Sequence, residues 1–276
     1  MELPAILKVI LLGLVEGLTE FVPVSSTGHM IIVDDMWLQS GQFLTKYVAN
    51  TFKVFIQLGS VLAAAVVFKD RFKELLGLGR SRQDREGRTR RLKLSHVIVG
   101  LLPAGVLGVL FEDYIDEHLF STPTVVFGLI LGAVLMILAE RLRPHQVKVQ
   151  TVDQITYAQA ALIGLFQCLS LWPGFSRSGS TISGGILLGL SHRAAADFTF
   201  IMAVPIMAGA SAVSLWKNLE YFTPAALPYF AAGFLSAFVF ALLSIRFFLK
   251  LIDRIKLIPF AVYRIVLALI IMAVYL

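Results

Sequence analysis

Six runs of this sequence, near 48–68, 94–111, 122–140, 198–216, 228–249 and 258–276, are apolar over close to the roughly 20 residues a helix needs to cross hydrocarbon. Backbone polar groups find no water at that depth, so such runs are predicted to be α-helices. The run at 94–111 is slightly short and holds Pro103, which predicts a kink or flanking turns. Composition agrees: 57% of residues are hydrophobic and 15% charged, where about 25% charged is usual for a soluble domain. Too little polar surface remains to cover a water-soluble fold of 276 residues. A soluble enzyme, a disordered tail and a nucleic-acid module are excluded, despite a net charge of +6. The expected fold class is all-α: a polytopic membrane protein forming one integral membrane domain over 1–276. Its one cysteine, Cys168, rules out an intrachain disulfide. The first apolar run starts at Leu3 without a basic leader or a small-residue cleavage site, so no removable signal peptide is expected.

Two further stretches, 3–33 and 155–190, are apolar but broken midway by Pro23-Val-Ser-Ser-Thr-Gly-His and by Pro173-Gly-Phe-Ser-Arg-Ser-Gly-Ser-Thr. Each reads as two short helices joined by a polar turn. Irregular backbone at membrane depth is tolerated where protein or a watery cavity covers it, and such segments point to binding sites in folds with repeats. Charge fixes the expected orientation. The loop at 69–93 carries ten Lys/Arg (Lys69, Arg71, Lys73, Arg80, Arg82, Arg85, Arg88, Arg90, Arg91 and Lys93), and 141–150 and 246–256 add more. These loops are expected in the cytoplasm. The loop at 112–121 holds Glu112, Asp113, Asp116 and Glu117 and no Lys/Arg, and is expected outside. The alternation closes if both broken segments are re-entrant, which leaves six transmembrane helices and both chain ends outside.

A weak internal repeat joins the broken segments. Gly13-Leu-Val-Glu16 resembles Gly164-Leu-Phe-Gln167, and Pro23-Val-Ser-Ser26 resembles Pro173-Gly-Phe-Ser176, with a one-residue slip between the two matches. Three crossings separate the segments, so the repeats, about 3–111 and 155–249, would have inverted topology. Helix 122–140 would connect them and helix 258–276 would close the chain.

The polar residues in the breaks are the candidates for chemistry. Glu16 and Glu20 stand four apart and share a helix face. Carboxylates in a membrane are costly, and two together suit a shared metal site or an acid/base pair; pairing with Lys8 is the plainer role. Ser25, Ser26 and Thr27 follow Pro23, where they can cap a helix and bind an anion at its N-terminus. His29 is a neighbouring base that could turn one serine into a nucleophile. In the second turn Arg177 can fork onto phosphate oxygens, flanked by the hydroxyls of Ser176, Ser178 and Thr181, or serve as counter-ion to the glutamates. Gly13, Gly17, Gly28, Gly184, Gly185 and Gly189 read as close-packing positions. Trp37 and Trp216 read as interface anchors. Carboxylates, an arginine and two opposed helix N-termini suit a phosphorylated ligand with a lipid tail.

Glu16-Gly-Leu-Thr-Glu20-Phe-Val-Pro-Val-Ser25-Ser26-Thr27-Gly-His29 and Pro173-Gly-Phe-Ser176-Arg177-Ser178-Gly-Ser-Thr181 resemble the two signature motifs of the bacterial undecaprenyl-diphosphate phosphatase family, also called the bacitracin-resistance family. The resemblance covers essentially the whole chain and shows no departure within the motifs. It implies hydrolysis of undecaprenyl diphosphate to undecaprenyl phosphate and inorganic phosphate in the cytoplasmic membrane, recycling the carrier for peptidoglycan synthesis. It also implies a site open to the outer face and a divalent cation, Mg²⁺ or Ca²⁺, on Glu16 and Glu20. By the same resemblance Ser26 is the nucleophile, His29 the histidine and Arg177 the phosphate ligand, with Ser25, Thr27, Ser176, Ser178 and Thr181 as further phosphate donors. Either His29 or Glu20 would take the serine proton; attack by metal-activated water fits the same residues. The expected partners are the polyprenyl diphosphate substrate and membrane lipids, without nucleic acid, and a homodimer is among the assemblies left open. The alternative is a transporter that moves a phosphorylated polyprenyl carrier between leaflets, a class that inverted repeats and opposed broken helices also suit.

Overall fold

The computed structural model describes residues 4–78, 91–119, 121–221 and 223–275. Of the basic loop, Arg80, Arg82, Arg85, Arg88 and Arg90 lie outside the described residues. Five helices are long and apolar enough to span a bilayer: α4 (Lys46–Val67), α8 (Thr122–Leu142), α11 (His192–Lys217), α12 (Leu227–Ile255) and α13 (Ile258–Tyr275). The sixth expected span is α6 (Leu94–Leu110), which at 17 residues is shorter and continues through Pro103 as one helix. The chain is thus an all-α, multi-pass membrane protein. Both broken segments are present. The first comprises α1 (Ala5–Thr19), a turn, then α2 (Ser26–Met30) running into a π-helical stretch, Ile31–Leu38; the second comprises α9 (Tyr157–Cys168), a turn, and α10 (Arg177–Leu187). Short helices α3 (Ser40–Leu44), α5 (Lys69–Leu75) and α7 (Glu112–His118) fill the connections.

The burial pattern is that of a protein solvated by lipid. On α8 Val125, Leu129, Ala133 and Met136 are buried while Phe127, Leu131, Val134 and Leu138 face outward; on α12 Leu235, Val239 and Leu243 form an exposed apolar row. An exposed face this apolar is unsuited to water. Apolar side chains gain nothing from leaving lipid, so close backbone approach and hydrogen bonds between helices have to hold the bundle. A Cβ on Gly13 of α1 would strike the Gly233 carbonyl of α12, and one on Gly164 of α9 would strike the Gly100 carbonyl of α6. Across the α1–α12 contact, Ser236 and Ser244 donate to the carbonyls of Ile10 and Leu18 at 2.7 and 2.8 Å. Gly13→Val and Gly164→Val are each expected to cost about 1–3 kcal/mol through overpacking. Gly105→Ala, whose Cβ meets open space, is the matched control. Thermal unfolding in detergent reads the difference. Gly189 differs from its expectation as a packing position: its φ of +85° ends α10 in a left-handed turn, a conformation that costs glycine little.

Polar contacts tie the connections together at one end of the bundle. Asp153 accepts from the Leu92 N–H at 3.0 Å and pairs with Arg71 at 3.0 Å. Glu140 at the end of α8 takes His192 and the Leu257 N–H, at 2.7 and 2.9 Å. Val149 bridges to Leu190, so the two flanks of the segment 155–190 lie side by side and the chain leaves where it came in. The first segment returns likewise: Val9 and Leu12 of α1 pack in one cluster with Leu38 and Leu44, and Lys8 sits 5.4 Å from the centre of the Phe43 ring.

Candidate active site

α1 ends at Thr19, but Glu20 keeps helical backbone angles and its N–H reaches the Glu16 carbonyl at 3.0 Å, so the two glutamates stay one turn apart. The chain then turns through 20–24 and restarts at Ser25, whose φ of +70° is rare for a residue with a side chain. Its hydroxyl accepts from the Gly28 N–H at 3.4 Å. The second break repeats this cap. Ser176 has φ +72°, and its hydroxyl accepts from the Gly179 N–H at 3.2 Å. Ser25 and Ser176 stand 151 positions apart, the offset of Gly13 from Gly164 and of Glu16 from Gln167. Matching proline to proline sets Ser26 against Ser176; the backbone instead pairs the caps Ser25 and Ser176, one residue away, and Ser26 and Arg177 each open the helix that follows. Backbone strain of this kind, of order 1–3 kcal/mol each, persists where surrounding contacts over-determine it.

These two first residues converge on one carboxylate. The Ser26 hydroxyl donates to Glu20 Oε2 at 2.6 Å, and Arg177 Nη2 donates to Glu20 Oε1 at 3.1 Å. The ion pair is nearly enclosed, with side-chain exposures of 13% for Arg177 and 9% for Glu20, so it is little screened by solvent. Arg177 also lies over the Phe21 ring. A cavity of about 200 Å³ opens beside the pair, lined by Glu20, Ser25, Ser26, Thr27, Ser176 and Arg177 among others. The remaining predicted residues stand behind it. Glu16 is buried and its Oε1 has no hydrogen-bond partner. Ser178 donates to the Val22 carbonyl at 3.2 Å and ties the two breaks together. Thr181 donates to the Arg177 carbonyl at 2.8 Å and accepts from Thr199 at 2.9 Å. His29 does not line the cavity. Its Nδ1 lies 2.8 Å from the Ser25 carbonyl and its Nε2 lies 2.6 Å from the Tyr263 hydroxyl. A carbonyl only accepts, so Nδ1 carries a proton, and Nε2 accepts from Tyr263 when the ring is neutral. Among the described residues no group of three or more His, Cys, Asp or Glu converges to hold a metal; Glu16 and Glu20 form a pair.

Sequence reasoning missed several contributors. Gln57, Ser170 and Trp172 also line the cavity. Gln57 carried a signal, a polar side chain inside an apolar run. Arg264 carried a stronger one, an arginine inside the last run. It is fully buried, and its Nη2 donates to the carbonyls of Gly128, Gly174 and Phe175 at 3.2, 2.9 and 2.8 Å. This fork fixes the turn leading into Ser176 and Arg177. Gly174 complements it: at φ +89° it lies against the Val125 carbonyl, where a Cβ would collide.

The fold and this cavity define a polytopic membrane protein in which a hydroxyl and a guanidinium, each at the start of a helix, meet on one buried carboxylate. The comparisons with known proteins agree. A family model described as bacitracin resistance protein BacA matches residues 9–270, and the chain belongs to that family. It is 73% identical over 276 residues to an undecaprenyl-diphosphatase of Geobacillus sp. (strain WCH70), with both chains fully covered. It is 72% identical over 275 residues to that of Geobacillus thermodenitrificans (strain NG80-2), again with full coverage of both. It is 58% identical over 264 residues to that of Bacillus subtilis (strain 168), covering 96% of each chain.

Proposed function

We propose that this chain hydrolyses undecaprenyl diphosphate to undecaprenyl phosphate and inorganic phosphate, with Ser26 as nucleophile, Glu20 as its base and Arg177 as the phosphate ligand. The observation that carries the assignment is the Ser26 hydroxyl donating to Glu20 at 2.6 Å while Arg177 occupies the other oxygen of that carboxylate. A nucleophile needs a base within hydrogen-bond reach, and Glu20 meets that test where His29, engaged by Ser25 and Tyr263, does not. On binding, the diphosphate takes over the Arg177 guanidinium, which leaves Glu20 free to accept the serine proton. Ser26 Oγ bonds to the terminal phosphorus as the bond to the bridging oxygen breaks and undecaprenyl phosphate departs. Glu20 passes that proton to the departing undecaprenyl phosphate, then takes one from the water that attacks the phosphoserine and returns it to Ser26 Oγ as inorganic phosphate leaves. His29 holds the Ser25 carbonyl and so the turn. Ser26→Ala is expected to lose at least about a thousandfold in rate, and His29→Ala only about tenfold. Phosphate release by the purified variants measures both. Full activity of Ser26→Ala would sink the covalent route in favour of water deprotonated directly by Glu20.

A divalent cation on Glu16 and Glu20 belongs to this proposal. The donor set suits a hard ion: two carboxylates one turn apart, one with a buried, unpartnered oxygen. When bound, such an ion neutralises charge developing on the phosphoryl oxygens. Glu16→Gln is expected to weaken Mn²⁺ binding, followed by electron paramagnetic resonance independently of turnover.

The same proposal covers topology: six crossings and two re-entrant pairs in the cytoplasmic membrane, as inverted repeats over about 3–111 and 155–249, with both ends and the cavity facing out. The matched caps at Ser25 and Ser176 support it, as do the matched glycine contacts of Gly13 with Gly233 and Gly164 with Gly100. In a variant lacking Cys168, an impermeant thiol reagent added outside should label Glu117→Cys and spare His145→Cys. These matched elements also favour a second reading, movement of the phosphorylated carrier between leaflets. Leaflet-resolved lipid movement by Ser26→Ala protein tests it.

A further inference from the structure

Two more hollows continue from the inner cavity towards the end of the bundle opposite the basic loops. The first, of about 550 Å³, has six polar residues on its wall: Thr27, Asn50, Lys53, Ser121, Thr122 and Ser214. Thr27 also lines the inner cavity, so the two adjoin. The second, of about 360 Å³, shares Asn50 and Lys53 with the first and adds Asp34 and Ser40. The three hollows therefore follow one another in series. The middle one is built where the N-terminal ends of α4 and α8 meet the C-terminal end of α11.

Its chemistry selects for one kind of ligand. Hydroxyls, a carboxamide and one ammonium face it, and no carboxylate is among its described lining residues. A metal ion would find no anionic oxygen there, whereas a phosphoryl anion would find donors. The ammonium is held in place. Lys53 Nζ sits 2.5 Å from Asp34 Oδ2, with 30% of the lysine side chain exposed. Asp34 is buried, and its carboxylate also accepts the N–H and hydroxyl of Ser40, each at 2.8 Å. It keeps two donors if Lys53 turns away, which lowers the cost of handing the ammonium to another anion. Inside, Arg177 rests on Glu20 in the same manner.

We propose that this vestibule is a second phosphoryl-binding station, in which Lys53 and Asn50 hold a phosphoryl anion passing between the inner cavity and the outer end of the bundle. The proposal rests on the inner cavity being the reaction site. The anion has two sources, the diphosphate head arriving or orthophosphate leaving, and one experiment separates them. Initial rates are followed as undecaprenyl phosphate formed by purified protein in a detergent with an uncharged head, across lipid concentrations and with added orthophosphate. Lys53→Gln is expected to raise the KM for the lipid (arrival) or the inhibition constant for orthophosphate (release) about fivefold, with kcat within about twofold. Lys53→Arg should return both constants towards wild type. Lys8→Gln, which removes a cation outside the vestibule lining, should leave them unchanged. Unaltered constants in folded Lys53→Gln protein, or an equal shift in Lys8→Gln, would overturn the proposal. If Lys53→Gln fails to fold, Asn50→Ala decides in its place, a shift supporting the station and none refuting it. Failure of the inner-site reading has a different signature, full turnover by Arg177→Ala.

Discussion

Replacing Arg177 by alanine is expected to lower phosphate release from undecaprenyl diphosphate about a thousandfold, the scale on which removing a guanidinium from a transferring phosphoryl group acts. The loss should fall on kcat as well as KM, because charge on the equatorial oxygens grows towards the transition state. A second consequence follows from burial. With Glu20 only 9% exposed, removing Arg177 leaves a buried carboxylate with no counter-charge and the Ser26 hydroxyl as its donor. That costs about 3–5 kcal/mol in comparable buried pairs. Glu20→Gln combined with Arg177→Met removes both charges and should recover much of the lost stability while remaining inactive. Thermal unfolding and phosphate release on the single and double variants form a cycle that separates structural pairing from catalytic use. Near-normal turnover by Arg177→Ala would remove the guanidinium from the mechanism.

Arg264→Met is expected to have the other large effect, although Arg264 does not line the cavity. Its guanidinium is buried and donates to three carbonyls, two of them in the turn just before Ser176. Methionine fills part of the space and strands the carbonyls of Gly174 and Phe175, at about 1–3 kcal/mol for each acceptor left unmade. Removing a buried charge offsets part of this, so the net destabilisation should be about 2–4 kcal/mol. At a temperature where the variant stays folded, kcat should fall by about a hundredfold, because a displacement near 1 Å of the turn misplaces Arg177. Arg264→Lys keeps the charge but not the fork, and should recover stability better than rate. Loss of stability with unchanged kcat would make Arg264 a purely structural residue.

The spans, the two breaks and the residues within the breaks were legible in the sequence because each is local. Hydrocarbon thickness sets the length of an apolar run, and a proline followed by hydroxyls announces a cap. Glu16, Glu20, Ser26 and Arg177 stood out because polar groups are rare in such runs. Limits appeared where spacing had to substitute for geometry. His29 lies three positions from Ser26, yet its ring turns to Tyr263, 234 positions along the chain. In sequence the two breaks align through their prolines, whereas in the backbone the matching features are the left-handed serines, Ser25 and Ser176, one residue out of that register.

The sequence by itself determined that the chain is a multi-pass membrane protein, where its long apolar helices run, where two stretches break, and which family its motifs resemble, since all of this follows from hydrophobicity, charge and local spacing. Only the tertiary structure decided that Ser26 and Arg177 meet on one carboxylate 157 positions from the arginine, that Arg264 holds the second turn, and that Lys53 stands in a vestibule beyond the site. Such contacts depend on which helix faces pack together, and in lipid that is set by close glycine contacts and interhelical hydrogen bonds, which hydropathy does not encode.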